Sequence, residues 1–524
     1  MGDSIAGTLA LPALGSSTMG AGLPLVDLQW VVIAAAVPYA ALLAAAGRLA
    51  DAVGRRRMLL IGLTLFAMGA IGAVIAPTLP VLLVARLLQG VAAAAVIPAS
   101  LGLLLAEISP ERRAAAIGVW SAASGLGGVI LHSGGGWLAE TFGWHALFAP
   151  SAILGVLLVA VATALPHPSA GRGPIPDLVG TALLLAGIAA LVLAVTKSPV
   201  WGWQSATTLT LIVGGVVLMV GAGWRSKHHL VPAIEIALWR QPAFALAGLI
   251  SFIYGMASFS LLAVTPVVLR EVWQMGLSGI GLATAPISGG VLVASLVAGR
   301  VVRRYGSRPV IYCGVLLSGA ASMWLISGVA QGQFSPTLWV SGTAVLGLGF
   351  GAISTAVSEA TLGAGAYRYA SAVGASMTAR QIGGAVGVAA AVAILDRPFL
   401  PGPLPGYSSV LTVLIALMAT AGVLALFIRP TRPVAACIPR PSSPGLQRRP
   451  ALSPISALTI PSPMFTAFSP LFAPLIEGPD QPRTTLRDMY KAAANVVAAA
   501  DWLLAQPTSP AGQQDAPRGA SSRS

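Results

Sequence analysis

The sequence predicts an all-α polytopic membrane protein with about fourteen transmembrane helices. Hydrophobic residues make up 56% of the 524 residues and charged residues only 9%. Soluble domains contain about 25% charged residues, so a chain this long with so few charges could not cover a water-facing surface. Apolar runs of about 20 residues, the length that crosses a bilayer, recur as far as residue 428. The 60 glycines are consistent with close helix packing in lipid.

Taken in order, the apolar runs define the individual helices. The predicted spans are 4–22, 27–47, 58–77, 80–105, 114–137, 145–165, 178–197, 206–224, 243–268, 279–300, 309–329, 337–361, 371–394 and 409–428. The Pro-rich "PHPSAGRGPIPD" precedes the seventh span, and the polar "WRSKHHLVPAIEIALWRQP" follows the eighth. These two segments set the seventh and eighth spans apart from the six on either side.

The basic residues lie between the spans and predict the orientation of the chain. With the N-terminus inside, the inner loops contain Arg55, Arg56, Arg57, Arg112, Arg113, Arg172, Arg225, Lys227, Arg303, Arg304, Arg308 and Arg368. The outer loops contain little beyond Lys197, Arg270 and Arg397. Positive loops stay in the cytoplasm, so we expect a multi-pass plasma-membrane protein with both termini cytoplasmic. The net charge of +14 then reflects topology, and we expect no nucleic-acid partner.

The segment 429–524 differs from the rest in being rich in Pro, Ser and Arg, and it is predicted to be a largely disordered cytoplasmic tail. Residues near 484–506 have the pattern of one amphipathic helix. Two interpretations stay open for this helix. It forms only transiently, or it docks on the inner leaflet or on the protein's own loops.

An internal repeat indicates two related halves. "GRLADAVGRRRMLL" begins at Gly47 after the second span, and "GRVVRRYGSRPVIY" begins at Gly299 after the tenth. Many carriers are built from two such halves, with the substrate site at their interface near mid-membrane. We therefore divide the chain into an N-terminal bundle (1–165), two extra helices with their flanking loops (166–242), a C-terminal bundle (243–428) and the tail.

The first copy of the repeat resembles a known family. "GRLADAVGRRR" matches the loop motif G-x-L-a-D-r-x-G-r-[KR] of the major facilitator superfamily. "LQWVVIAAAVPYAALLAAAGRLAD", "ARLLQG" and "TARQIGGAVGVA" resemble the fourteen-span drug/proton antiporters of that superfamily. The resemblance covers roughly residues 3–428. It implies two six-helix bundles, two extra central helices, and a transporter, not an enzyme.

The loop motif supplies candidate gating residues. They are Gly47, Asp51, Gly54, Arg55 and Arg56. Gly47 permits close packing, and Gly54 permits a turn with positive φ. Asp51 can pair with Arg55 or lie at the N-terminus of a neighbouring helix. The resemblance implies a latch that holds one of two access states, whereas the alternative is a charged turn that only fixes topology. The second copy has Arg303 in place of the aspartate.

Arg86 lies within the fourth predicted span, in "LLVARLLQG", and matches the family motif R-x-x-q-G together with Gln89 and Gly90. An arginine inside a span costs about 2.5–3.5 kcal/mol on insertion scales, so it normally faces protein or a water-filled cavity. The resemblance implies a role for Arg86 in proton coupling. A structural hydrogen-bond hub is the alternative, and Gln89 and Gly90 are candidates for the cavity or for packing.

The fifth span departs from the family pattern. Antiporters of this type carry g-x-x-x-G-P-x-x-G-G there, but this chain reads "GGVILHSGGG", with Leu131 and His132 in place of Gly-Pro. His132 is a titratable group at membrane depth, with an unperturbed pKa near 6.5. It is a candidate for proton coupling, and a hydrogen-bonded packing residue is the alternative.

Later spans contain fewer polar candidates. Arg380 and Gln381 match the family's thirteenth span and are expected beside the cavity or in packing. Glu359 is expected to reach the inner interface. "GLGFG" at 347–351 lies inside an apolar helix with no preceding strand, so it predicts a packing surface and not a nucleotide loop. We expect no metal and no cofactor.

The chain opens "MGDSIAGTLALPALG", which falls on the family's first-span pattern, roughly L-D-x-T-[IV]-V-N-V-A-L-P. Asp3 then corresponds to a position midway through the first helix, and burial can raise a carboxyl pKa toward neutrality. Asp3 is therefore a proton-coupling candidate. Because little sequence precedes it, we expect either a start codon assigned too late or a compromised first helix.

These features together predict a secondary active transporter that exports small amphipathic compounds or drugs by alternating access, driven by protons. Its partners are a small-molecule substrate, protons and membrane lipid. Two alternatives stay open: export of a lipid or cell-envelope precursor on the same fold, or a transport-inactive membrane sensor or scaffold that uses the basic tail.

Overall fold

Residues 30–109, 112–164, 177–232, 236–329, 335–364, 369–396 and 404–428 are described continuously in the structure, which is a computed structural model. Positions 6, 7, 9, 10, 13, 14, 17, 28, 398 and 400 are described singly. All of these residues belong to one unit of the chain, spanning Met1–Ile438. The predicted tail and its amphipathic helix near 484–506 lie outside the described residues.

Within the described residues, thirteen helical segments are long and apolar enough to cross a membrane. The helices are α1 (Trp30–Val53), α2 (Arg55–Val74), α3 (Leu79–Glu107), α4 (Arg113–Phe142), α5 (Ala149–Ala164), α6 (Leu178–Trp201), α7 (Ala206–His228), α8 (Pro242–Glu271), α9 (Leu277–Tyr305), α10 (Ser307–Val329), α11 (Pro336–Ala364), α12 (Tyr369–Asp396) and α13 (Pro405–Leu426). A 3₁₀ helix, Trp144–Phe148, leads into α5, and a single turn, Ile236–Trp239, precedes α8. The described part of the chain is thus all-helical, and the predicted fold class is confirmed.

The first predicted span, 4–22, lies largely outside the described residues. Its described positions between 6 and 14 are helical, and four apolar side chains among them are buried: Ala6, Leu9, Ala10 and Leu14. They join a core with residues of α2, α3 and α4. This segment therefore packs inside the N-terminal half.

The repeated motif differs from its predicted form as a charged loop. In the first copy α1 continues through Asp51 to Val53, and α2 begins at Arg55, so the connection is Gly54 alone. In the second copy Gly306 alone connects α9 to α10. Both glycines have positive φ, 114° and 84°, and only glycine adopts such angles readily. One residue therefore reverses the chain, and the charged side chains stay on helices.

The two halves meet along two helix crossings that repeat each other. At Gly47 of α1 an added Cβ would overlap the carbonyl of Ala370 in α12, and at Gly299 of α9 it would lie 2.6 Å from the carbonyl of Ala114 in α4. Gly47 and Gly299 begin the two copies of the repeat. Small residues let the backbones approach this closely, so α1 packs on α12 as α9 packs on α4.

The two extra helices, α6 and α7, pack on each other and on α1. Gly187 and Gly215 face each other across α6 and α7, where an added Cβ would lie 2.9–3.0 Å from the opposite carbonyl. A buried apolar cluster joins residues of α1 (Ala40, Ala41) to residues of α6 and α7 (Leu184, Ile188, Val192, Ala222). Partly buried Ile382 and Ala385 of α12 pack against it. The extra pair thus lies beside the α1–α12 crossing.

The "GLGFG" segment is a packing surface, as predicted. Gly347 and Gly351 of α11 face the backbone of α9, and Gly349 faces α10. The three glycines let α11 pack closely between two neighbours. This packing belongs to the larger of the buried cores, which is formed mostly by α8–α11 and α13.

Candidate functional site at the interface of the two halves

A carboxylate joins the two halves at the end of α1. Ser371, the third residue of α12, donates to Oδ2 of Asp51 from its backbone nitrogen at 2.9 Å and from its hydroxyl at 2.7 Å. Arg55 donates from Nε to Oδ1 of Asp51 at 2.9 Å, and its Nη2 lies 2.8 Å from the same oxygen. The carboxylate therefore makes both contacts considered for it, with a helix N-terminus and with Arg55. We call Asp51, Arg55 and Ser371 the Asp51 cluster.

Aromatic and backbone contacts surround the Asp51 cluster. Arg55 also donates from Nη1 to the carbonyl of Gly102 in α3 at 3.0 Å. The guanidinium groups of Arg55 and Arg113 lie 5.6 and 4.9 Å from the ring centroid of buried Tyr369. Helices α1, α3, α4 and α12 thus converge on one point. This end of the α1–α12 crossing is closed.

Neighbouring arginines of the motif connect the same region to other elements. Arg48 donates to the carbonyl of Pro232, which follows α7, at 2.7 Å. Arg56 donates to the carbonyl of Thr163, at the end of α5, at 2.9 Å. The motif therefore ties α1 and α2 to the extra helices and to the last helix of the N-terminal half.

Within the described part of the chain, the second copy of the motif has no equivalent carboxylate cluster. Arg303 occupies the position that corresponds to Asp51, and the α4 backbone beside it carries Ala115 where α12 carries Ser371. The crossing of α4 and α9 is instead tied at its other end, where Ser278 donates to Glu140 from its nitrogen at 3.0 Å and also from its hydroxyl. The two crossings thus share their backbone packing and differ in their polar contacts.

Arg86 is a buried hydrogen-bond hub within the N-terminal half. Its side chain is 1% exposed, and it donates from Nε to the carbonyl of Val31 at 3.1 Å and from Nη1 to Oε1 of Gln89 at 2.8 Å. The ring of Phe148 lies 5.3 Å from its guanidinium carbon. Gly90 packs against the backbone of Ala35. The three residues of the family motif therefore hold α3 against α1.

The N-terminal segment also reaches Arg86. An added Cβ at Gly7 would lie 2.9 Å from Nη2 of Arg86. Asp3 itself lies outside the described residues. Gly7, four positions later in the sequence, is in contact with this guanidinium.

His132 lies at the α4–α9 crossing. Its side chain is 5% exposed, and Nδ1 is 3.0 Å from the hydroxyl of Ser288 in α9. The carbonyl of His132 also packs against Gly281. His132 therefore contacts the opposite half of the protein directly, through one polar partner on α9.

Arg380 lies near the middle of α12, beside aromatic residues of two other helices. Its Nη1 donates to the hydroxyl of Ser354 in α11 at 3.2 Å. Its guanidinium carbon is 4.7 Å from the ring centroid of Tyr254 in α8, and Tyr39 of α1 packs against a buried apolar cluster that includes Met377 of α12. Gln381 is half-buried. Arg380 thus joins α12 to α8 and α11.

The two halves approach each other differently along their two crossings. Glycine-mediated contacts between α4 and α9 extend from Gly299 to Gly136. Those between α1 and α12 occur at Gly47 and Gly374, both on the Asp51 side of Tyr39. The interface is therefore closed at the Asp51 cluster, and Tyr39 and Arg380 lie beyond this closed end.

Sequence reasoning missed several partners of the residues it selected. Ser371, Ser288 and Ser354 carry no motif of their own. The sequence contains no local signal for them, because each lies on a different helix from the residue it contacts. Glu359 is half-buried, and its Oε2 has no hydrogen-bond partner among the described residues.

Comparison with known proteins covers most of the chain. The sequence model described as Major Facilitator Superfamily matches residues 1–388. The multidrug resistance protein Stp of Mycobacterium tuberculosis is 31% identical over 371 residues, which are 70% of this chain and 68% of Stp. The tetracenomycin C resistance and export protein of Streptomyces glaucescens is 28% identical over 395 residues, 74% of this chain and 72% of the relative.

A solved structure shows the same fold. The proton:xylose symporter XylE aligns with a TM-score of 0.58 at 14% sequence identity, and the alignment covers 82% of this chain and 95% of XylE. At this level of identity the likeness concerns the fold alone.

Proposed function

Because the chain belongs to the Major Facilitator Superfamily, we propose that it is a secondary active transporter that exports small amphipathic compounds in exchange for protons. The observation that carries the proposal is its 31% identity, over 70% of its length, to a multidrug resistance protein. A second relative is described as a resistance and export protein. Relatives of this kind do not favour export of a lipid precursor or a transport-inactive scaffold.

The Asp51 cluster supports alternating access. Its hydrogen bonds join α1 of one half to α12 of the other, so they exist only while that end of the interface is closed. Opening it would remove two charge-assisted hydrogen bonds from Ser371 to Asp51 and leave the pairing within α1 and α2 intact. A cluster that stabilises one of two states can bias their populations. We assign the Asp51 cluster the role of the gate.

Proton coupling in this proposal involves Asp3, Arg86 and His132. Arg86 is a buried cation in contact with the N-terminal segment at Gly7. An acid near this cation is favoured in its charged form, and a change in access alters its environment and therefore its proton affinity. His132 offers a second titratable group at the interface of the halves, through its contact with Ser288.

The proposed location is the plasma membrane, with both termini cytoplasmic. The basic residues around the Asp51 cluster, Arg48, Arg55, Arg56 and Arg113, support this orientation. In this orientation the Asp51 cluster is a gate at the cytoplasmic end.

Everted membrane vesicles that contain the full chain provide the test. Respiration acidifies the vesicle interior, so a proton-coupled exporter accumulates its substrate inside and releases protons. Uptake of ethidium, rhodamine 6G, fluorescein and puromycin is measured together with the pH gradient, with and without a protonophore. We expect uptake of at least one compound that the protonophore abolishes.

Four variants separate the assigned roles. Asp51→Asn tests the gate, and Asp3→Asn, Arg86→Gln and His132→Gln test coupling. Replacing a coupling residue should reduce proton release more than it reduces the exchange of substrate across the membrane. If the wild type moves neither protons nor any compound of the panel, the exporter proposal fails.

A further inference from the structure

Arg380 carries a charge that the described protein satisfies only in part. It is the twelfth of the 28 residues of α12, so it lies near the middle of a membrane-spanning helix. Nη1 donates to Ser354, but Nε and Nη2, both buried, have no hydrogen-bond partner among the described residues. A guanidinium has five N–H donors. Most of its donor capacity is therefore unused.

Arg380 contacts an aromatic ring, and within the described part of the chain it has no acidic partner. The Tyr254 ring lies 4.7 Å from its guanidinium carbon, and Tyr39 of α1 packs against a buried apolar cluster that includes Met377 of α12. Among the described residues no carboxylate forms an ion pair with it, whereas Arg55 and Arg225 each have one. A cation–π contact replaces only a small part of the hydration that an arginine loses on burial. Among the described residues, no carboxylate neutralises the charge of Arg380.

The unpaired Nε and Nη2 atoms of Arg380 are buried in this state, so a ligand reaches them only when the two halves separate. Arg380 and Tyr39 are both only partly covered, although each lies well within its helix. Tyr39 precedes Asp51 by twelve residues, which is about 18 Å of helix. The partly covered surfaces therefore lie deep in the interface, on the far side of the Asp51 cluster, where a substrate would bind in an alternating-access mechanism.

We propose that Arg380, Tyr39 and Tyr254 form a substrate subsite that binds the carboxylate or phenolate group of an aromatic compound. The anion pairs with the unused donors of Arg380, and the two tyrosine rings contact the adjacent aromatic surface. A planar guanidinium can bind a carboxylate through two parallel hydrogen bonds. This assignment rests on the proposed export function and specifies a substrate class for it.

Two dyes with the same ring system test the subsite. Fluorescein carries a carboxylate and a phenolate, whereas rhodamine 6G is a cation whose carboxyl group is esterified. Protonophore-sensitive uptake of each dye is measured in everted vesicles that contain the full chain. The variants are Arg380→Gln, Arg380→Lys and Tyr254→Leu. Arg300→Gln, which removes an exposed arginine of α9, is the matched control.

We expect Arg380→Gln to reduce fluorescein uptake roughly tenfold, because a charge-assisted pair is lost, and to leave rhodamine 6G uptake within about twofold. Arg380→Lys should restore part of the fluorescein uptake, because it retains the charge but not the planar geometry. Retained rhodamine 6G uptake shows that each variant is folded and active.

Three results would overturn the assignment. The first is equal loss of both dyes in Arg380→Gln, which indicates a structural role. The second is rhodamine 6G uptake without fluorescein uptake in the wild type, which leaves the export proposal intact. The third is a wild type that moves no compound of the panel, in which case the export proposal fails and the subsite fails with it.

Discussion

Ser371 donates two hydrogen bonds to one oxygen of Asp51, from its backbone nitrogen at 2.9 Å and from its hydroxyl at 2.7 Å. The two residues are 320 positions apart in the chain, and they belong to helices of opposite halves. The other oxygen of the carboxylate accepts a hydrogen bond from Nε of Arg55. The Asp51 side chain thus bonds to Arg55 within its own half and to Ser371 across the interface.

Asp51→Asn should open this end of the interface. An amide keeps the shape but loses the charge, and the lost charge-assisted bonds are worth about 2 kcal/mol, or roughly thirty-fold in the equilibrium between the two states. The measurement is maleimide labelling of a single cysteine at Val373→Cys, a position that is 3% exposed, after removal of Cys313 and Cys437. Labelling from the Asp51 side should become faster.

Glu140→Gln is the matched control for that experiment. Glu140 accepts from Ser278 at the opposite end of the α4–α9 crossing, so its loss removes an acid without affecting the Asp51 cluster. Equal acceleration of Val373→Cys labelling in both variants would contradict a specific role for Asp51.

Gly54→Ala and Gly306→Ala should each destabilise the protein. Their φ values of 114° and 84° place an alanine in a region that costs it about 1–3 kcal/mol. The midpoint of thermal unfolding in detergent should fall for both variants. Gly289→Ala is the control, because it lies inside α9 and an added Cβ there has no atom within 4 Å. An equally large decrease in the unfolding midpoint for Gly289→Ala would mean that the turn conformation does not cause the destabilisation.

Gly118→Ala should impair transport more than Gly134→Ala, although both lie in α4. A Cβ at Gly118 would lie 2.6 Å from the carbonyl of Ser295 in α9, whereas a Cβ at Gly134 has no neighbour within 4 Å. Backbone atoms cannot move away as a flexible side chain can, so the added methyl group must separate the two helices. Dye uptake in everted vesicles should fall at least about fivefold for Gly118→Ala alone. Equal uptake by the two variants would contradict the prediction.

Acidification should disrupt the link between α6 and α7 only at low pH. Asp177 caps α6, and its Oδ1 and Oδ2 accept from Nη2 and Nε of Arg225 at 3.0 and 2.5 Å. The hydrogen bonds from Arg225 hold the pKa of the Asp177 carboxyl below its usual value of 3.8. A carboxyl with a lowered pKa stabilises the fold at every pH above the unfolded value, and this contribution disappears as pH falls through the folded value.

It follows that Asp177→Asn should lower the thermal midpoint by the same amount at pH 5 and at pH 8, since the pair is fully formed at both. The destabilisation should shrink only below about pH 4. The comparison of wild type and variant at several pH values checks this directly. A difference that already declines between pH 8 and pH 5 would show that another group controls the pair.

Residues close in sequence could be placed without the structure. The predicted spans after the first one correspond to α1–α13, because the length of an apolar run directly reflects the thickness of a bilayer. The sequence also named Arg55 as one of two candidate partners of Asp51 and predicted the positive φ of Gly54, since only glycine tolerates that turn readily. The exact ends of each helix were not predicted. The motif around Asp51 was expected as a loop, and it is helical up to Val53.

The sequence by itself determined a helical membrane protein with two related halves, its basic motif and the candidates Asp51, Arg86, His132 and Arg380. Only the tertiary structure decided their partners: Ser371 for Asp51, Ser288 for His132, and Ser354 and Tyr254 for Arg380. The reason is that local periodicity fixes which residues share a helix face, but contacts between distant helices depend on the register at which they cross. Here close backbone packing at Gly47 and Gly299 sets that register, and each of these contacts needs a second helix from elsewhere in the chain.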